Sequence, residues 1–283
     1  MATSLLLNTL FGSRHQGQTK ASHPSLLPAW HAIDSCCIAW YWPMLDIACL
    51  VHEPDVYTHD QEATMEIDRR DTAVVFTDPQ NEVLSDTGLA WPLVRESLAE
   101  NHTIANMESI FAAAKAHGFE VFISPHYFYP TDAGWQFNGA LEADEAAAGF
   151  FGRRGILNLD GLPGSGADWL PRFKSYIEDG KTVVVAPHKV FGPETNDLVL
   201  QLRKRRIARV MLGGMLANMC VESHLRELIE QGFEVAVVKD ATAAPKHPTW
   251  GYGYTAALIN YAYLAHAVLR ADEVIDAMKR GQR

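Results

Sequence analysis

Short apolar runs alternate with longer amphipathic segments along most of the chain, and this alternation begins near Asp71. The apolar runs predict strands over residues 72–76, 120–124, 182–186, 209–213 and 234–239, and the longer segments predict helices over residues 104–118, 195–206, 218–231 and 254–269. Because the strands are apolar on both faces and are separated by helices, we predict an α/β fold with a doubly wound, mostly parallel sheet. Helices would cover both faces of the sheet, as in a Rossmann-like three-layer αβα domain.

The first 65 residues lack this alternation. Residues 1–33 contain neither Asp nor Glu, and the apolar stretch that follows is irregular and interrupted by prolines. We therefore predict a poorly ordered N-terminal extension over residues 1–65 and a folded domain over residues 66–283. The start of the chain lacks the basic residues of a secretory signal, and no apolar run is long enough to span a bilayer.

Composition and charge restrict the partners that we expect. The chain of 283 residues has 24 Lys and Arg against 34 Asp and Glu, which gives a formal net charge of -10. A nucleic-acid partner is disfavoured, because phosphate contacts need a basic face. The four cysteines, Cys36, Cys37, Cys49 and Cys220, form no CxxC motif and are too few for a disulfide-rich secreted domain. We expect a cytoplasmic protein that acts on a small molecule, with no nucleic-acid or membrane partner.

Three polar residues follow three of the predicted strands. Asp78 follows the first strand, Lys189 follows the third, and Cys220 follows the fourth at the start of a helix. Taken singly, each has a structural explanation, since a lone Cys is usually a small buried hydrophobe, an Asp after a strand is often a turn residue, and a Lys is usually solvated. The carboxyl ends of parallel strands form one ligand-binding edge, however, so the three residues are expected to converge there.

An acid, an amine and a thiol in one place suit nucleophilic catalysis. The helix start and a nearby ammonium would favour the thiolate of Cys220. Asp78 could accept the thiol proton and pass it to a leaving amine, and Lys189 would keep that acid ionised. Backbone N–H groups in the turn before Cys220 could stabilise an oxyanion.

The stretch VVFTDPQNEVL, and the stretch from HKVFGPETNDLVLQLRKRR through GGMLANMCVESHLRELIEQGFEVAVVKDATAA, resemble the isochorismatase-like cysteine hydrolase family over residues 68–280. The resemblance implies that Asp78, Lys189 and Cys220 form the catalytic triad. It also implies a cis peptide between Met215 and Leu216, and an oxyanion hole from the N–H groups of Leu216 and Cys220. Because relatives are commonly oligomers, we expect a homodimer or homotetramer.

The resemblance to metal-dependent members is incomplete. Nicotinamidases of this family bind a metal through an Asp-x-His motif and a further His, whereas the matching stretch here supplies only His126. One histidine is a poor metal site. We therefore expect no metal and no other cofactor.

The segment over residues 127–166 is long and rich in aromatic residues. It is as consistent with a packed excursion or a subunit contact as with a substrate lid. An apolar pocket with few polar groups would suit a small amide. The candidate pocket residues are Gln80, Asn81, His126, Phe128, Trp135, Phe151, Phe191 and Trp250.

These observations favour a cysteine-dependent hydrolase that cleaves a C–N bond of a small amide, carbamoyl or ureido compound through a thioester. An alternative is an isochorismatase-type hydrolase of a vinyl ether, which needs an acid but no nucleophilic thiol. A non-catalytic binding protein on the same fold is a further alternative, although the presence of all three polar residues argues against it.

Overall fold

The computed structural model describes residues 65–155 and 158–281, so all but one residue of the predicted N-terminal extension lies outside the described residues. Its centre is a six-stranded sheet, whose strands are β1 Thr72–Thr77, β2 Glu120–Ser124, β3 Val183–Val184, β4 Arg209–Met215, β5 Glu234–Ala243 and β8 Ala267–Leu269. Their order in the sheet is β3-β2-β1-β4-β5-β8, and every neighbouring pair is parallel. A short antiparallel pair consists of β6 Lys246–His247 and β7 Gly251–Tyr252.

Helices connect the strands. They are α1 Asn81–Leu84, α2 Trp91–Glu100, α3 Thr103–His117, α4 Ala140–Ala148, α5 Lys174–Ile177, α6 Leu198–Lys204, α7 Glu222–Glu230, α8 Gly253–Leu264 and α9 Ala271–Arg280. Short 3₁₀ turns lie at Pro130–Gly134, Pro171–Phe173 and Pro193–Thr195, and a π-helical turn at Ala217–Val221 leads into α7. No helix among the described residues is long and apolar enough to cross a membrane.

Each face of the sheet carries its own apolar core, because successive side chains of a strand point to opposite faces. In β1, Val74 and Phe76 pack with α2, α3 and α9, whereas Ala73 and Val75 pack with α6, α7 and α8. The residues of β1 are buried on both faces. The predicted doubly wound α/β fold with helices on both faces is therefore confirmed.

The C-terminal part differs from the sequence prediction. The helix predicted over residues 254–269 ends at Leu264, and the apolar residues Ala267–Leu269 form β8, which pairs with β5 at the sheet edge. Helix α9 follows and was not predicted. A short apolar run suits a buried strand as well as a buried helix, and the pairing with β5 decides for the strand.

Three other boundaries also moved. The strand predicted over residues 182–186 contains only Val183 and Val184, and the helix predicted from residue 195 begins at Leu198. The helix predicted from residue 218 begins with the π-helical turn. The chain runs from β1 through β2 to β3 on one side and from β4 through β5 to β8 on the other. The carboxyl ends of β1 and β4 therefore flank the switch point, where ligands bind in such sheets.

Candidate active site

Asp78 lies directly after β1 and is buried, with 2% of its surface exposed. Its backbone adopts a left-handed conformation with φ 49, which Asp tolerates better than most residues. The Asp78 N–H donates to the carbonyl oxygen of Ser124 at 3.1 Å, which ties this turn to the end of β2. The turn therefore directs the carboxylate of Asp78 into the interior at the edge of the sheet.

The end of β4 approaches β1 closely. Gly214 has φ 113, and a Cβ atom there would lie 2.2 Å from the carbonyl oxygen of Thr77, so no side chain fits. The hydroxyl of Thr77 donates to the carbonyl oxygen of Met215 at 2.9 Å. The peptide bond between Met215 and Leu216 is cis. The chain then enters the π-helical turn that contains Cys220.

Asp78 and Cys220 are neighbours. An oxygen of the Asp78 carboxylate and the sulfur of Cys220 lie within 4.8 Å of each other, and the backbone N–H of Leu216 favours the thiolate of Cys220. The carboxylate accepts a hydrogen bond of 2.8 Å from Nε2 of His188. One ligating atom each from Asp78, His126, His188 and Cys220 lie within 4.8 Å of one another, and all four residues are buried. We call these four residues the polar cluster.

Lys189 does not join this cluster. Its Nζ donates to the carbonyl oxygen of Tyr127 at 3.0 Å and to Oδ2 of Asp132 at 2.6 Å, and it lies 3.8 Å from the centre of the Tyr129 ring. The preceding residue, His188, occupies the place beside Asp78 that the sequence interpretation gave to Lys189. The structure thus brings together two of the three expected residues and supplies a neighbouring imidazole in place of the third.

A third histidine, His224, stabilises the π-helical turn that contains Cys220. Nδ1 of His224, on α7, donates to the carbonyl oxygen of Cys220 at 2.7 Å. Its Nε2 therefore accepts from the hydroxyl of Ser124 at 2.8 Å, and that hydroxyl accepts from Nδ2 of Asn196 at 2.9 Å. This chain of hydrogen bonds connects β2, the loop after β3 and the π-helical turn, so it holds Cys220 in position.

His126 is held by backbone contacts on both sides. The amide of Gln80 accepts from the His126 N–H at 2.9 Å and donates to the carbonyl oxygens of His126 and Ala167. Nε2 of His126 donates to the carbonyl oxygen of Lys189 at 3.2 Å. Its ring stacks on Phe151 with centroids 4.7 Å apart. Gln80 is thus a buried residue that positions His126.

Burial determines the protonation of these groups. It raises the pKa of Asp78 to about 6 and raises the pKa of the Cys220 thiol, to which the negative charge of Asp78 also contributes. Burial lowers the pKa of His126, His188 and His224 to about 3, so the three imidazoles are neutral near pH 7. The contact between His188 and Asp78 is therefore a hydrogen bond from a neutral imidazole to a carboxylate.

A small cavity with a volume of about 40 Å³ adjoins Asp78, His126 and Cys220. This inner cavity has room for roughly three water-sized groups, which is the size of a carboxamide. Its other walls are mostly apolar and are formed by Val83, Ala90, Leu93, Val94, Leu141, Glu145, Phe150, Phe151, Val190, Phe191, Leu216, Met219 and Pro245.

A larger outer cavity of about 330 Å³ lies on the far side of Phe150, which lines both spaces. Of the predicted pocket residues, Phe151 and Phe191 line the inner cavity with His126, whereas Phe128 and Trp135 line the outer one. The predicted excursion over residues 127–166 therefore contributes walls to both cavities.

The remaining pocket predictions need correction. Gln80 and Asn81 line neither cavity, because their side-chain amides bind backbone carbonyl oxygens, that of Ser165 in the case of Asn81. Trp250 also lines neither cavity and is 86% exposed, since it lies in the turn between β6 and β7. Nearness to a strand end along the chain did not bring these residues into the pocket.

Three residues of this region have no clear signal in the sequence. His188 directly precedes Lys189, and the local pattern assigns it no role. Glu145 lines the inner cavity from α4, and Glu82 accepts hydrogen bonds from the N–H groups of Leu89 at 2.8 Å and Phe151 at 2.9 Å. The only sequence signal for Glu145 is its place among alanines in a helix, which is equally typical of a solvated acid.

The polar cluster corrects one premise about metals. The expectation of no metal rested on a single histidine, but His188 adds a second beside Asp78 and Cys220, and these ligand types are those of zinc sites. Two of these groups already have partners, since Asp78 accepts from Nε2 of His188 and Nε2 of His126 donates to the carbonyl oxygen of Lys189. Nδ1 of His188, in contrast, is buried with no hydrogen-bond partner among the described residues, so one atom that could ligate a metal is unpartnered.

Comparisons with known proteins agree with this architecture. Residues 72–273 match the family described as Isochorismatase domain. A cysteine hydrolase from Pseudomonas syringae pv. phaseolicola is 19% identical with a TM-score of 0.63, over 77% of this chain and 97% of that one. A putative isochorismatase hydrolase from Oleispira antarctica is 24% identical with a TM-score of 0.54, over 75% of this chain and all of that one.

The same fold carries other activities. MAR1 ribonuclease from Caenorhabditis elegans is 14% identical with a TM-score of 0.51, over 76% of this chain and 83% of that one. At these identities the structural likeness shows a shared fold, and a shared fold leaves the chemistry to the residues of the site.

Proposed function

The chain belongs to the isochorismatase family of hydrolases, and from this premise we propose that it cleaves a C–N bond of a small amide, carbamoyl or ureido compound through a thioester on Cys220. The observation that carries the proposal is the approach of the Cys220 sulfur to within 4.8 Å of the Asp78 carboxylate, with the Leu216 N–H favouring the thiolate, beside a cavity of carboxamide size. Nucleophile, base and amide donor therefore lie within reach of one carbonyl group.

The first half of the reaction forms the thioester. The sulfur of Cys220 attacks the carbonyl carbon while its proton moves to the carboxylate of Asp78. The N–H groups of Leu216 and Cys220 stabilise the oxyanion. Asp78 then gives the proton to the leaving nitrogen, the C–N bond breaks, and ammonia or an amine departs.

The second half regenerates the thiol. Asp78 takes a proton from water, the oxygen attacks the thioester carbon, and the C–S bond breaks as the proton returns to sulfur. The product is a carboxylic acid, or a carbamic acid when the substrate is a urea. No redox partner is needed.

The neutral charge of His188 affects the protonation state that we propose for the Cys220 thiol. A lysine would supply a positive charge that stabilises a preformed thiolate, whereas a neutral imidazole supplies only a hydrogen bond to Asp78. We therefore propose that the thiol is protonated at rest and loses its proton as it attacks. The raised pKa of Asp78, about 6, makes it a stronger base than an ordinary aspartate while it remains ionised at pH 7.

The inner cavity argues against the vinyl ether alternative. Isochorismate is a dicarboxylate, and no Lys or Arg is among the residues that line the inner cavity within the described part of the chain. Burying carboxylates there without a partner would be costly. Ribonuclease activity is disfavoured for this chain as well, since the formal net charge is -10.

Ammonia release from a panel of small amides, ureas and carbamoyl compounds tests the proposal. We expect turnover of at least one compound, a loss of about a thousandfold or more in Cys220→Ala, and an acyl adduct of the wild-type chain in intact-protein mass spectrometry. Full activity of Cys220→Ala would contradict the thioester route. Absence of both turnover and adducts across the panel would favour the binding-protein alternative.

A further inference from the structure

Glu145 is a buried acid on an otherwise mostly apolar wall. It lies in the middle of α4, is 9% exposed, and lines the inner cavity together with Leu141 one turn earlier. The helix is fixed at both ends, by the Gly139 N–H donating to Glu142 at 2.9 Å and by the left-handed Gly149. The helix backbone that places Glu145 at the cavity is therefore capped at both ends.

The two sides of α4 face different spaces. Leu141 and Glu145 line the inner cavity, whereas Glu142 and Ala146 line the outer one. Within the described ranges, Glu145 makes no ion pair, and Lys189 is occupied by Asp132. Burying a carboxyl beside a cavity without a cation costs more free energy of folding than burying an apolar residue there. A role in binding would explain why an acid occupies this position.

The charges around Glu145 are mostly negative. Those that act on its carboxyl come from the turn after β1, from α1 and from α4 itself, and the cavity also holds neutral His126 and the Cys220 thiol. The charged neighbours are Asp78, Glu82, Glu142 and Asp144. Burial, followed by these charges, raises the pKa of Glu145 to about 8. In turn, Glu145 raises the pKa of the Cys220 thiol, which lines the same cavity.

We propose that Glu145 is a specificity-determining residue, which binds the part of the substrate beyond the scissile carbonyl and selects an uncharged or cationic amide or urea over one that bears a carboxylate. As a neutral acid it donates to a carbonyl oxygen or accepts from an N–H group, and when ionised it binds an ammonium. A substrate carboxylate would meet Asp78 and Glu145 with no Lys or Arg among the lining residues. This inference rests on the proposed function for the identity of the substrate, but its test does not need turnover.

The test compares two alkylating probes of nearly equal size, neutral iodoacetamide and anionic iodoacetate. The rates at Cys220 are measured by mass spectrometry, and their ratio cancels the ionisation of the thiol, because both probes react with the same thiolate. Dividing by the ratio for N-acetylcysteine removes the intrinsic difference in reactivity between the probes. Asp78 stays ionised and the three histidines stay neutral from about pH 7 to about pH 9.5, whereas Glu145 ionises within that range. We expect the ratio in favour of iodoacetamide to rise about tenfold in the wild type over that interval.

Two variants test whether the rise in the probe ratio is due to Glu145. Glu145→Gln keeps the shape of the side chain and should abolish the rise. At pH 7, where Glu145 is largely protonated in the wild type, iodoacetamide should still react at about the wild-type rate, which shows that the cavity is intact. Asp144→Asn removes the same charge from the same helix but lines neither cavity, and it should keep most of the rise. A rise that persists in Glu145→Gln, or one that disappears equally in Asp144→Asn, would overturn the assignment to Glu145.

Turnover separates this inference from the proposed function. With a matched pair such as succinamide and succinamate, the wild type should favour the diamide in kcat/KM, and Glu145→Gln should reduce that preference about tenfold. Amide turnover with a preference that Glu145→Gln leaves unchanged would overturn the inference alone. No amide turnover, together with a probe ratio that depends on Glu145, would overturn the proposed function alone.

Discussion

Nε2 of His188 donates a hydrogen bond of 2.8 Å to Oδ1 of Asp78, in a contact from which solvent is excluded on both sides. The adjacent Lys189 points to Tyr127 and Asp132. Two neighbouring residues thus have separate tasks, one at the proposed base and the other in the loop that follows β2. This division has consequences that mutation can measure.

Replacing His188 should impair catalysis more than replacing Lys189. His188→Asn removes the Nε2 donor to Asp78, and we expect kcat/KM for the best amide to fall by about a hundredfold or more. Lys189→Met removes a charge from a partly exposed contact, and we expect less than about a tenfold fall in kcat/KM with a lower Tm. The reverse order would restore Lys189 as the third member of the triad.

Activity should decline as the pH falls through the pKa of Asp78. The base must be ionised to accept the thiol proton, and its pKa is raised to about 6 by burial. Protonation below that pH therefore removes the active form, so kcat/KM should decrease tenfold per pH unit on the acidic side. Asp78→Asn should lower activity at every pH and abolish this limb. An acidic limb near the ordinary aspartate pKa of about 4 would contradict the environment described here.

Ser124→Ala should disturb both stability and catalysis. It removes the hydroxyl that donates to His224 and accepts from Asn196, and leaves both partners unsatisfied in a largely buried place. We expect a loss of about 1–3 kcal/mol in the free energy of unfolding, with a lower kcat because His224 holds the Cys220 carbonyl. Ser109→Ala is the control, since that hydroxyl is exposed and bonds only to Ala105 one turn earlier. Equal stability of the two variants in urea titrations would argue against a stabilising role for the hydrogen bonds of Ser124 with His224 and Asn196.

Gly214→Ala should be among the most damaging single methyl additions. The residue has φ 113, and the new Cβ would lie 2.2 Å from the Thr77 carbonyl oxygen, so β1 and β4 would have to separate at the site. We expect at least about 3 kcal/mol of destabilisation or loss of soluble protein. Gly134→Ala adds the same methyl where no heavy atom lies within 4 Å, and it should change the Tm little. A Gly214→Ala protein with wild-type Tm would refute the close approach.

Local patterns in the sequence were enough to predict a mostly parallel sheet, the positions of its main strands along the chain and the strand ends at which polar residues are placed. Burial on both faces leaves a local apolar pattern, and parallel strands bring their carboxyl ends to one edge, so Asp78 and Cys220 could be paired without coordinates. The C-terminal strand β8 could not be separated from the preceding helix, because an apolar run of three residues has no period of its own.

Which polar residue after a strand faces the site depends on tertiary contacts. β3 ends at Val184, so the backbone of the loop beyond it selects whether His188 or Lys189 points inward, and a one-residue difference leaves no mark in composition. Glu145 likewise reads as a surface acid until α4 packs over the cavity. Side-chain direction in loops and the docking of an excursion depend on contacts between residues that are far apart in the chain, and a local pattern of polar and apolar positions does not encode those contacts.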